Sequence, residues 1–150
     1  IVGHSERRKI FNQSDEDVRI KAENLINNGI NPIICIGETL KEKDNGFTKD
    51  ILHKQLLNSL PTINSIETVI IAYEPIWAIG SGLTPSLDEI DSIHSFIKKD
   101  IKNFRSSKIL YGGSVKSSNA QEILNLDNVD GVLVGGSCLD PLEFIKILNC

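Results

Sequence analysis

The stretch "VIIAYEPIWAIGSG", Val69 to Gly82, decides how the rest of the chain is read. Apolar and small residues run straight into Tyr73, and a carboxylate follows at Glu74, fixed by Pro75. Beyond it lies a short, mostly apolar loop that closes on Gly80-Ser81-Gly82. An uninterrupted apolar run, rather than an alternating one, is the pattern of a parallel strand covered on both faces. A carboxylate at the end of such a strand is partly desolvated, and that raises its pKa toward that of a useful general base. The competing reading is a structural ion pair, for instance with Arg7.

The same punctuation recurs on either side. Residues 32–37 (PIICIG), 68–74 (TVIIAYE), 108–112 (KILYG) and 131–135 (GVLVG) read as strands. Longer segments with helical spacing separate them. Ser14 is an N-cap followed by Asp15, Glu16 and Asp17 in the first turn; Val18, Ala22, Leu25 and Ile26 form one apolar face, and Gly29 stands where a C′ glycine belongs. Ser86-Leu87-Asp88-Glu89 is a capping box opening a helix with Ile90, Ile93 and Ile97 on one side. Residues 49–60 and 119–126 and a short helix from Pro141 complete the set. Alternation of this kind predicts an α/β fold with right-handed crossovers. Periodicity alone does not separate an open sheet from a closed barrel.

The 150 residues fit one domain, 1–150, with 40% hydrophobic and 24% charged residues, which suits a soluble globular protein. The net charge of −4 argues against nucleic acid as a partner, and no apolar run approaches a membrane span. Cys35, Cys138 and Cys150 are odd in number and lack C-x-x-C spacing, which predicts reduced thiols in the cytoplasm rather than disulfides or a zinc site. The chain opens on what reads as the tail of a strand and holds no methionine. We therefore expect a piece of a longer protein.

In α/β folds functional groups gather where strands end. His4-Ser5-Glu6 follows the first strand remnant, Glu38 follows PIICIG, and Glu74 follows TVIIAY. Gly112-Gly113-Ser114 and Gly135-Gly136-Ser137 follow the last two strands. Diglycine turns expose backbone N–H groups to an anion, and a following helix N-terminus adds positive potential. Two such turns at equivalent places, each followed by serine, favour a phosphate site over plain tight turning, and Gly80-Ser81-Gly82 offers a further donor. No dinucleotide fingerprint or Walker motif is present. His4 begins a helical turn, where positive potential favours the neutral imidazole, able to donate to a carbonyl and pass protons; local capping is its plainer reading. Glu38 suits a supporting partner to the loop, whereas His53 and His94 read as structural.

"GHSERR" from Gly3, "CIGETL" from Cys35, "AYEPIWAIGSG" from Ala72, "YGGSV" from Tyr111 and "DGVLVGGSCL" from Asp130 resemble, in order and spacing, the triosephosphate isomerase family. The resemblance runs the whole length of the chain. It implies a (β/α)8 barrel, of which this chain carries roughly the last four to five βα units. It also implies interconversion of dihydroxyacetone phosphate and glyceraldehyde 3-phosphate through an enediolate, with neither cofactor nor metal. By resemblance Glu74 is the base and His4 the electrophile, while Gly80, Ser114, Gly135 and Gly136 supply N–H donors to the phosphate. Glu6, Glu38, Tyr73, Pro75, Trp77, Ser81 and Gly82 become lid and supporting residues, with hinges at Pro75-Ile76-Trp77 and Gly80-Ser81-Gly82. The family is itself a type case of a glutamate base, a neutral histidine and a closing loop, so those roles come from the resemblance.

The departures are specific. Leu83 replaces a common lysine, Ser81 a common threonine, and Gln13 a common acid, which would weaken an ion pair with Arg7. The family's first three strands and most of the fourth are missing, with their asparagine–lysine pair and the interdigitating loop of the homodimer. The alternative to an isomerase is therefore a non-catalytic barrel fragment that works only by association with a chain carrying those strands.

Overall fold

A computed structural model describes residues 1–62, 69–100 and 107–150. Its centre is a four-stranded parallel sheet in the order β1 (Ile33–Ile36), β2 (Ile70–Tyr73), β3 (Lys108–Tyr111), β4 (Gly131–Val132). The register aligns Cys35 with Ala72 and Ala72 with Leu110, then Ile36 with Tyr73 and Tyr73 with Tyr111. Val2 adds a parallel bridge outside β1, donating to Ile33 O and accepting from Cys35 N, both at 2.9 Å.

The strands are two-faced because side chains alternate along them. Ile34, Ile36, Ile71, Tyr73, Ile109 and Tyr111 point to one face and are buried. There they join Val18 and Ala22 of α2 (Asp15–Asn27), Leu52 and Leu56 of α4 (Thr48–Ser59), Ile90 and Ile97 of α5 (Leu87–Asp100), and Ala120 and Ile123 of α6 (Ser117–Leu124). The other face carries Cys35 and Ala72, buried, beside half-buried Ile33, Ile70 and Leu110. The expectation of apolar cover on both faces is thus met fully on the helix side and only partly on the other. Glu74 continues the parity of Ile70 and Ala72, so its side chain leaves the sheet on the face away from the helices.

Element edges differ from the sequence reading in instructive places. Thr68 lies outside the described residues. The last strand is two residues long, not five: Leu133 N still donates to Tyr111 O at 2.8 Å, but among the described residues β4 pairs only with β3 and has no strand on its far side. The helix expected at 119–126 starts earlier, because Asn119 Oδ1 accepts from Lys116 N at 2.8 Å and begins the turn there. A short helix absent from the reading, α3 (Leu40–Asp44), is held by a Thr39–Glu42 capping box. The Ser14–Asp17 and Ser86–Glu89 boxes form as well, each with both reciprocal bonds closed. Gly29, at φ +72°, ends α2 with its N–H on Ile26 O, a conformation that glycine adopts without steric cost. The last helix, α7 (Pro141–Leu148), buries only Ile147, leaving Leu142, Ile145 and Leu148 exposed. No helix among the described residues is long and apolar enough to cross a membrane.

Candidate active site

Glu74 sits between two glycines contributed by the neighbouring strand ends. A methyl group on Gly37 would fall 1.7 Å from Glu74 O, and one on Gly112 would fall 2.9 Å from Glu74 Cγ. Both strands must end bare for the glutamate to seat between them. Gly37 is further fixed by Gln55, whose side-chain amide accepts from its N–H at 2.8 Å and donates to its carbonyl at 3.0 Å. Sequence reasoning missed Gly37; the signal was the "CIG" ending, which parallels "YGG".

Glu74 itself is 2% exposed. Burial raises its pKa above the usual carboxylate value, opposed first by the imidazole of His4 and then by the N–H of Ser5. His4 Nε2 lies 3.2 Å from Glu74 Oε1, and Ser5 N donates to Oε2 at 3.3 Å. His4 also caps α1 (Ser5–Phe11): its Nδ1 accepts from Glu6 N at 3.3 Å. An accepting Nδ1 carries no proton, so in the neutral ring the proton resides on Nε2, aimed at the carboxylate. The two readings of His4, local cap and functional group, are thus compatible in one side chain. Cys35, across the sheet face from Glu74, has its thiol pKa pushed up by burial and by that carboxylate, so it remains a neutral thiol. The sequence reading gave neither Ser5 nor Cys35 a role beside Glu74; both reach it only through tertiary contact.

Arg7 does not pair with Glu74. Its guanidinium stacks over the Phe11 ring at 4.3 Å, and Gln13, buried, leaves its Oε1 without a partner among the described residues. The inward-facing cation is Arg8, one residue on, which pairs with Asp15 and donates to Gly3 O at 2.8 Å and to Cys35 O and Ser59 Oγ at 3.3 Å. Arg8 ties α1, and therefore His4, to α2, α4 and β1.

His4 and Glu74 open into a cleft of about 610 Å³. Gly80 and Ser81 line it from the loop, Gly112 and Ser114 from the turn after β3, and Gly135 and Gly136 from the turn after β4. Of the residues marked in the sequence, Glu6 is not brought here: its side chain is exposed on α1. Glu38, Tyr73 and Trp77 form a second group behind the loop. Glu38 is 1% exposed, and its Oε1 accepts from Trp77 Nε1 at 2.8 Å and from Tyr73 OH at 3.2 Å. Burial raises its pKa, the two donors opposing. After Pro75 the chain makes a 3-10 turn, Ile76–Ala78. Ser81 Oγ donates back to Trp77 O at 2.9 Å, and Ser114 Oγ donates to Ala78 O at 2.6 Å, so the diglycine turn holds the loop. Gly80 and Gly82 take φ of +65° and +77° at the loop's far end.

The sequence profile of the triosephosphate isomerase family matches residues 1–150. The chain belongs to the triosephosphate isomerase family. It is 46% identical over 154 residues to the triosephosphate isomerase of Thermodesulfovibrio yellowstonii, covering 99% of this chain and 63% of that relative. To that of Bradyrhizobium diazoefficiens it is 47% identical over 152 residues, covering 98% and 61%. The crystal structure of triosephosphate isomerase from Bartonella henselae superposes with a TM-score of 0.89 at 37% identity, over 99% of this chain and 61% of that one. The chain thus spans about three fifths of the triosephosphate isomerases it matches, and its sheet is part of a (β/α)8 barrel.

Proposed function

We propose that the protein is a triose-phosphate isomerase, interconverting dihydroxyacetone phosphate and D-glyceraldehyde 3-phosphate, and that this chain carries its proton-transfer centre. The observation that carries the reading is His4 Nε2 at 3.2 Å from the buried Glu74 carboxylate, at the rim of a cleft shared with both diglycine turns. Glu74 takes the proton from C1 of the ketone, and the freed electron pair moves into the carbonyl, giving an enediolate. The Nε2–H of His4 donates to that oxygen as its charge grows, and protons pass between the two oxygens through the imidazole. Glu74 then returns its proton to C2, and the aldehyde forms. Raising the carboxylate's pKa by burial makes it a stronger base once substrate displaces its resting partners.

The N–H groups of Gly80, Ser114, Gly135 and Gly136 hold the phosphate, the glycines leaving room for it to approach. Residues 75–82 form a lid: Pro75 and Trp77 at the first hinge, Ser81 and Gly82 at the second, and Ala78-Ile79 as the apolar cover that excludes water. Glu38 and Tyr73 steady the first hinge through Trp77, and Glu6 remains a supporting residue by resemblance alone. A cytoplasmic homodimer acting on a small phosphorylated triose is the expected setting.

The open edge of β4 and the exposed Leu139, Leu142, Ile145 and Leu148 favour a qualification. These 150 residues act as part of a complete barrel and require the remaining strands for full activity, whether in the same or another chain. Steady-state interconversion of the two triose phosphates tests the proposal. The full-length protein should turn over, and Glu74→Gln should lose at least about a thousandfold in kcat. Retained activity in that variant would overturn the assignment of the base.

A further inference from the structure

We propose that Lys43 latches both ends of the lid at once, so that its two hinges open together; this rests on the lid reading of residues 75–82. Lys43 belongs to α3, which starts two residues after Glu38. Its Nζ lies 3.8 Å from the centroid of the Trp77 ring, at the first hinge. The same Nζ lies 3.1 Å from Glu89 Oε1. The other oxygen of Glu89 accepts from Ser86 N at 3.0 Å, in the capping box that begins α5 just past the second hinge.

One ammonium therefore connects the ring at the start of the lid to the cap at its end. The indole is held twice, by Glu38 Oε1 at its N–H edge and by Lys43 over its face. If Trp77 swings away, Lys43 loses its ring contact and is free to leave Glu89. If Ser86 and Glu89 shift, the ammonium loses the carboxylate that steadies it above the ring. Neither contact is strong by itself, since Lys43 and Glu89 are partly solvated. Coupling arises because both contacts use the same charge. Lys43 is not among the residues lining the cleft and acts through Trp77 and Glu89, so it is a positioning residue.

The test follows each hinge separately in the full-length protein. Labelling with 5-fluorotryptophan reports Trp77 by fluorine NMR, and the amide of Ser86 reports the second hinge by relaxation dispersion. The parent should show one exchange rate at both sites. Lys43→Met should separate the two rates and speed Trp77 by roughly threefold to tenfold. Glu89→Gln should also separate them, and Lys43→Arg, which keeps the charge and stacks on aromatic rings, should restore a common rate. Two unrelated rates in the parent, or rates unmoved by both Lys43→Met and Glu89→Gln, would overturn the latch. Neither readout needs turnover, so a protein without isomerase activity but with one shared rate would refute the catalytic reading and leave the latch standing.

Discussion

Gly112→Ala separates the positioning of Glu74 from the binding of phosphate. The added methyl falls 2.9 Å from Glu74 Cγ and 3.4 Å from Tyr73 O. Carbon atoms settle about 3.5–4.0 Å apart, so the glutamate side chain must recede by roughly 0.6–1 Å. Gly112 is not among the positive-φ residues, so alanine meets no backbone penalty, and overpacking should cost about 1 kcal/mol. Its N–H is already committed to Tyr73 O at 2.8 Å, so no donor to the ligand is lost. Misplacing a general base by about 1 Å costs on the order of a hundredfold in rate. We expect kcat for triose-phosphate interconversion to fall about a hundredfold, with KM within about threefold and the fold intact by circular dichroism. Gly135→Ala is the contrast, since its methyl would meet nothing within 4 Å, and its effect should fall on KM as the phosphate is pushed away. A kcat in Gly112→Ala within about fivefold of the parent would refute the reasoning, because it would mean that Glu74 need not sit where Gly112 allows.

Two predictions concern stability. His94 is fully buried between Tyr73 and Tyr111, and burial lowers its pKa from 6.5 to about 4. Below pH 6.5 the unfolded chain takes up a proton that the folded chain refuses, so stability should fall by up to about 3 kcal/mol as the pH drops toward 4. The raised carboxyls of Glu74 and Glu38 act in the opposite sense, losing their contribution as pH rises through their folded pKa values. Urea unfolding of the parent and His94→Asn across that range isolates the histidine: the variant should show the shallower acid loss. Arg8→Met takes the guanidinium from Asp15, which keeps the Ser59 hydroxyl at 3.1 Å, and from two carbonyls, and should cost about 2–3 kcal/mol in the same assay.

How much of this was legible depended on how local the signal was. Glu74, the loop behind it and the diglycine turns are each contained in one short stretch, where strand, turn and chemistry are written in sequence. Helix caps such as Ser14 and Ser86 are equally local. The failures lie where contact crosses elements. Gly37 is glycine because of Glu74, thirty-seven residues away, and nothing beside Gly37 says so. Arg7 and Arg8 are adjacent, and only the direction in which α1 packs decides that Arg8 turns inward while Arg7 lies on Phe11. The short β4 reflects its position at the sheet edge, a property of neighbours rather than of "GVLVG" itself. In the sequence Lys43 stands among the charges Lys41, Glu42 and Asp44, and its place over Trp77 required α3, a five-residue helix too short for periodicity to reveal.

The most direct test of the account is solvent exchange at carbon. Full-length protein converting glyceraldehyde 3-phosphate in deuterium oxide, followed by proton NMR, should place deuterium at C1 of the dihydroxyacetone phosphate formed. Glu74→Gln should abolish that incorporation while inorganic phosphate still binds the cleft. Deuterium appearing at an undiminished rate in Glu74→Gln would contradict the assignment of Glu74 as the group that moves the proton.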